Sequence, residues 1–337
     1  MRTFAAGTLI IPLDTTSQDA GALRAYGLVY RLLSNNVPVQ WAIRAGKPDD
    51  GNDMTIGAPA TVRSLETNAA ITVPISYRGG PFVIDAADRA AALPIVNAWL
   101  ASDTVTQVHT LATGTFTADI AKTLTAAPRV AVFNDGNEDI AIRDFNAAGI
   151  PDSTGAAWTA SSIDVLSEAA IAGPTTTSHT DGGLWNADGT PRYCNLSSMH
   201  YQATAMTPEV VAEVRGWLNA QPGNHAFMQC LATTTFENNA NGHFLTTGGI
   251  VDDNPPGNNP PTPLVNLFPD DPLTQLDGAF DADAGAVDSI GLAPGSTFAP
   301  GVRALVNEMN QPATSRIIWL SGRLDGNNAN GKVTYLA

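Results

Sequence analysis

A thiol, two imidazoles and several carboxylates stand where apolar runs of this 337-residue chain give way to turns. Cys230 closes the run His225 to Cys230, and His200 follows the run Arg192 to Met199. Glu237 and His243 come shortly after Cys230, while Asp135, Glu138 and Asp139 follow Arg129 to Phe133. An open α/β sheet binds ligands beyond the carboxyl ends of its strands, so one cleft would gather these groups. Two chemistries suit them. A thiolate at Cys230, with His200 or His243 as base, would attack an amide or ester carbonyl. Carboxylates, imidazoles and a thiol would also hold a divalent metal, with Asp135 and Glu138 as the candidate ligands. A structural role competes for that pair, because Asn134 and Asp135 are ordinary N-cap residues and acidic residues favour a first helical turn. No H-x-x-x-H or H-E-x-x-H spacing selects zinc.

The acidic loops raise calcium as a second cation. Asp49, Asp50 and Asp53 form one cluster, Asp252 and Asp253 another, and Asp270, Asp271, Asp277, Asp281, Asp283 and Asp288 a third. Hard oxygen ligands suit Ca²⁺, but none of the three has the ligand spacing of an EF-hand loop, and solvated loops are the competing reading. No organic cofactor is expected, since Gly182-Gly183 and Gly248-Gly249 lack the strand–turn–helix context of a phosphate loop. The formal charge is −15, from 32 acidic and 17 basic residues, which argues against nucleic acid and anionic membrane surfaces as partners. No apolar run approaches the roughly 20 residues of a membrane helix. Lysine is scarce while Asn, Thr, Gly and Pro abound, the composition of exported bacterial surfaces, so an extracellular or cell-surface location is expected.

These side chains need a scaffold. Residues 8–45 read as strand, helix, strand, and a second such unit starts at Arg129 to Phe133. Strand Arg192 to Met199, a helix from Thr207 and strand His225 to Cys230 continue the alternation. After the loop-like stretch 252–301, the spacing predicts a helix over Val302 to Met309, then strands Arg316 to Leu320 and Lys332 to Leu336. Alternation of this kind predicts an α/β fold with a doubly wound, mostly parallel, flavodoxin-like sheet. It divides the chain into a related α/β unit at 1–127 and a domain at 128–337.

Strand Tyr193 to His200, helix 207–219 and the run Ala220 to Cys230 resemble the class I glutamine-amidotransferase-like fold. Its ThuA-like members and the related domains of large bacterial surface and gliding-associated proteins are the nearest in pattern. The resemblance covers roughly residues 129–337. It implies a flavodoxin-like sheet and places Cys230 at the family's nucleophile elbow, with the small Ala232 two residues later. Two departures count against activity. Met228 stands where the family motif has glycine, so its side chain is expected to crowd the turn. The family's downstream His-x-Glu pair has no counterpart, leaving His243 and Glu237 as substitutes. Cys194 and Cys230, the two cysteines, lie at opposite ends of neighbouring strands, a mismatch of about 17 Å that disfavours a disulfide.

Two functions are therefore expected in competition. The first is a non-catalytic structural or interaction module of an exported bacterial surface or assembly protein, working through protein or glycan contacts. The second is a cysteine-dependent amidase or hydrolase using Cys230. The apolar run Val333 to Ala337 closing the chain suggests a piece of something longer, with an exposed edge near residue 335 available for self-association.

Overall fold

A computed structural model describes residues 1–18, 21–175, 177–253, 263–275, 277–278 and 289–337. The chain forms two compact units. One comprises Met1–Ala127, Ala147–Ile150 and Phe268–Ala279; the other comprises Pro128–Asn146, Pro151–Leu267 and Phe280–Ala337.

In chain order the first unit holds β1 (Arg2–Ala5), β2 (Leu9–Ile11), α1 (Ala22–Ser34), β3 (Val39–Ala42), β4 (Met54–Ile56), β5 (Thr61–Ser64), β6 (Ala70–Ile71), β7 (Ile75–Tyr77), β8 (Phe82–Ile84), α2 (Arg89–Ser102), β9 (His109–Thr113), β10 (Thr115–Ala118) and β11 (Ile120–Leu124). Its main sheet runs β11-β3-β8-β2-β9-β5-β6, and β1-β10 and β4-β7 form two smaller ladders. Strand side chains alternate between faces, so Leu9 and Ile11 pack with the apolar stripe of α1 while Ile10 joins the opposite core with Phe4, Tyr77 and Phe116. Every ladder here is antiparallel. The strand–helix–strand pattern of residues 8–45 is present, but β8 lies between β2 and β3 and pairs antiparallel with both. This unit is therefore not a parallel βαβ element.

His109 on β9 is 6% exposed, with Nδ1 2.9 Å from the Tyr77 hydroxyl. Burial holds its pKa down at about 4 and pushes the Tyr77 hydroxyl up. A free imidazole titrates near 6.5, so between about pH 6.5 and 4 the unfolded chain binds a proton that the native site refuses. Stability is full above the unfolded value and falls with pH until the native site itself protonates, a loss of up to about 3 kcal/mol. Urea unfolding at pH 7, 5 and 4 measures that slope. His109→Gln is expected to flatten it, and an unchanged slope would refute the assignment.

The second unit adds β12 (Val130–Phe133), α3 (Glu138–Ala148), β13 (Val165–Leu166), α4 (Glu168–Ala172), β14 (Asn195–Ser198), α5 (Thr207–Ala220), β15 (His225–Gln229), α6 (Leu231–Glu237), β16 (Ile250–Asp252), β17 (Leu264–Asn266), β18 (Ile290–Leu292), β19 (Arg303–Glu308), β20 (Ile317–Arg323) and β21 (Lys332–Leu336). Its sheet runs β13-β12-β14-β15-β21-β20-β18-β16, and β19 joins β17 to β20. Pairing is parallel from β13 to β21 and antiparallel beyond. Val210, Val211, Val214, Trp217 and Leu218 of α5 bury one helix face against this sheet's core, which includes Ala226, Met228, Val333 and Tyr335.

These pairings overturn the expected doubly wound, mostly parallel, flavodoxin-like architecture and its related N-terminal α/β unit. The described residues hold six α-helices, too few to cover both faces of sheets this extensive, and the sheets are antiparallel or mixed. Val302 to Met309, expected as a helix, contains strand β19, whose residues are buried from Ala304 through Glu308. A strand buried on both faces loses its alternation and mimics a helical apolar run. The expected open edge near residue 335 is also absent, because β21 lies between β15 and β20 and Tyr335 is wholly buried. No described helix is long and apolar enough to cross a membrane.

Candidate active site

Strand β15 delivers Cys230 to the rim of the parallel run. The Cys230 amide extends the β15–β21 ladder by donating to Leu336 O at 2.8 Å, and the backbone then turns sharply, with φ 53° and ψ −130°, into α6. A non-glycine residue held there costs about 1–3 kcal/mol, and such strain concentrates at functional turns. Thr233 fixes the corner by donating its amide (3.0 Å) and hydroxyl (2.7 Å) to Cys230 O. This strand–turn–helix is the geometry of a nucleophile elbow. Met228 does not obstruct it: the thioether is fully buried in the sheet core, so the expected crowding of the turn is not found.

His200 faces the same cavity, held by its neighbours. Asp135, in the turn after β12, accepts from Ser198 Oγ (2.9 Å), Met199 N (2.7 Å) and His200 N (2.8 Å), clamping the end of β14. Tyr201 is buried against Phe133 and Phe236, with ring centroids 4.6 and 5.5 Å away. The Tyr201 hydroxyl donates to Glu168, and burial with that carboxylate pushes its pKa up to about 12.

Together with Leu231, Thr233, Thr234, Asp252, Ser289, Ile290 and Ala337, Cys230 and His200 line a cavity of about 180 Å³ beyond the carboxyl ends of β14, β15 and β21. The first amides of a helix have no acceptor within it, and those of Leu231 and Ala232 find none among the described residues. Leu231 lines the cavity beside Cys230, and Ala232 is buried behind it. Ser289 is 1% exposed and its buried Oγ has no partner among the described residues. No spacing ties Ser289 or the two threonines to Cys230 in the sequence, and Asp252, expected only as part of an acidic loop, lines this cavity instead.

Other expected groups lie elsewhere. Glu237 is fully buried and accepts from Phe244 N, Leu245 N, Thr246 N and Oγ1, and Tyr335 Oη. It is a structural clamp. His243 lines a separate open groove with Arg215, Thr246 and Asp325. Of the expected metal pair, Asp135 serves the amides above and that of Asn137, while Glu138 accepts from Gly136 N. Among the acidic loops, Asp53 pairs with Lys47, Asp50 and Asp277 with Arg78, Asp253 with Ser315 and Arg316 N, Asp270 with Gly46 N and Asp271 with Leu273 N. Asp281, Asp283 and Asp288 lie outside the described residues. Among the described residues, no group of three or more His, Cys, Asp or Glu side chains could hold a metal ion. Cys194 and Cys230 are both free thiols.

No family model and no curated protein matches the chain. A solved GH42 β-galactosidase aligns with a TM-score of 0.30 and 10% identity, over 74% of this chain and 31% of its own. The chain thus spans about a third of that enzyme's length.

Proposed function

We propose that Cys230 is the nucleophile of an acyl-transfer site that hydrolyses a small amide or ester. The observation that carries this reading is the strained elbow at Cys230, opening on a cavity that His200 shares. The Cys230 sulfur attacks the carbonyl carbon, and the oxyanion accepts from the amides of Leu231 and Ala232. His200 takes the thiol proton and passes it to the leaving amine or alcohol as the tetrahedral intermediate collapses to a thioester. Water, deprotonated by the same imidazole, then releases the acid and restores the thiol. A second reading, a non-catalytic interaction module of an exported bacterial surface protein, is favoured by one observation: neither His200 nor His243 is hydrogen-bonded to Cys230 Sγ.

Alkylation of the native protein separates the two. Under limiting iodoacetamide, Cys230 is expected to be modified at least tenfold faster than Cys194, whose sulfur accepts from Arg129 N at 3.2 Å. His200→Ala should slow Cys230 alone. Incubation with small activated esters should leave an acyl adduct that Cys230→Ala abolishes. Equal alkylation rates with no adduct would reject the nucleophile and leave the interaction module.

A further inference from the structure

The first unit carries a cationic groove that its acidic composition does not explain. Between α1 and α2, a concave surface of about 520 Å³ is lined by Arg24, Arg31, Asn35, Trp99 and Ser102, and the turn at Gly149 closes one side. Arg24 and Arg31 both lie over the Trp99 indole, with guanidinium carbons 4.6 and 5.6 Å from the ring centroid. Among the described residues, Arg2, Arg24, Lys47, Arg78, Arg192, Arg215 and Arg316 each pair with a carboxylate. Arg31 has no such partner among the described residues. Arg24 reaches Asp103 and Ala147 O only at 3.4 and 3.5 Å, while Asp103 is held chiefly by Thr106.

Stacking fixes a guanidinium's plane and leaves its edge donors free, the arrangement that grips an oxyanion through two parallel hydrogen bonds. Two such forks over one ring repel each other, and the Asp103 carboxylate reaches only Arg24, leaving the Arg31 charge to be met by a ligand anion. The site is shaped closely, since a Cβ on Gly149, itself at φ +75°, would stand 2.3 Å from Arg24 Nη1 and 3.0 Å from Trp99. We infer that this groove binds the oxyanion of a small ligand, a carboxylate, sulfate or phosphate, between Arg24 and Arg31. The inference is independent of Cys230.

Calorimetric titration at constant ionic strength tests it with inorganic sulfate, inorganic phosphate, galacturonate and neutral galactose. Saturable binding is expected for at least one of the anions and not for galactose. Arg31→Gln, at an exposed helix position, should weaken it at least tenfold, and Arg31→Lys, which keeps the charge but loses the fork, should recover only part. Binding by the inorganic ions alone identifies a free ion or an ester as the source, and binding by galacturonate identifies a carboxylate. Absence of saturation with all three anions, or equal affinity in the wild type and Arg31→Gln, overturns the inference.

Discussion

Glu237→Leu is expected to lower the stability of the second unit by about 3–5 kcal/mol, since a buried donor left without its acceptor costs about 1–3 kcal/mol. The carboxylate sits at the end of α6 with no exposure and accepts from three successive backbone amides, a threonine hydroxyl and the Tyr335 phenol. An ionised carboxylate offers acceptors only, so all five donors face it without conflict. Leucine would fill the volume and strand every donor, although relaxation and entering water would recover part of the sum. Glu237→Gln should fall between, because its amide keeps one acceptor oxygen but turns N–H groups toward N–H groups. The same carboxylate helps hold the buried Tyr335 hydroxyl well above its ordinary pKa, behind burial as the larger cause. Urea unfolding followed by circular dichroism measures the losses. A cost under about 1 kcal/mol for Glu237→Leu would mean that water already satisfies these donors.

Glu237 also shows why the site was only partly legible. Its closeness to Cys230 in sequence suggests chemistry, yet α6 separates the two, with the cysteine before its first residue and the carboxylate at its last. Cys230 and His200 could be placed because each follows an apolar strand, and the periodicity that finds strands finds their ends. What the residues after them do depends on long-range pairing. Asp135 reads as an N-cap, and its carboxylate does accept from Asn137 N, but its other oxygen reaches across to the end of β14. Strand direction was the larger loss. Leu9–Ile11 and Val39–Ala42 flank a helix and look like a parallel pair, but β8, which arrives some forty residues later, inserts between them. Periodicity records which faces are buried. It carries no mark of which neighbour covers them or in which direction that neighbour runs.

In the first unit the largest expected effect comes from Lys47. Its ammonium is buried and lies 2.7 and 2.8 Å from the two oxygens of Asp53, whose carboxylate is wholly enclosed, and 2.7 Å from Gln275 Oε1. Asp53 also accepts from Arg44 N at 3.1 Å and Gly80 N at 2.8 Å. Lys47→Met leaves an uncompensated charge among those two amides, a loss of about 3–5 kcal/mol. The remedy is to remove the charge and keep the acceptor. Asn at 53 still offers one oxygen to the amides and buries no ion, so Lys47→Met/Asp53→Asn should be more stable than Lys47→Met alone by about 1–2 kcal/mol. The sign of that difference is the decisive quantity, because independent side chains would make the second substitution a further loss. Hydrogen exchange adds a local readout. Gln275 reaches the pair from the segment Phe268–Ala279, so Lys47→Met should speed exchange at Leu273 and Thr274, and the double variant should not reverse this. If the double variant is the less stable of the two, the amides rather than the ammonium hold Asp53 in place, and the charge pair is incidental to the fold.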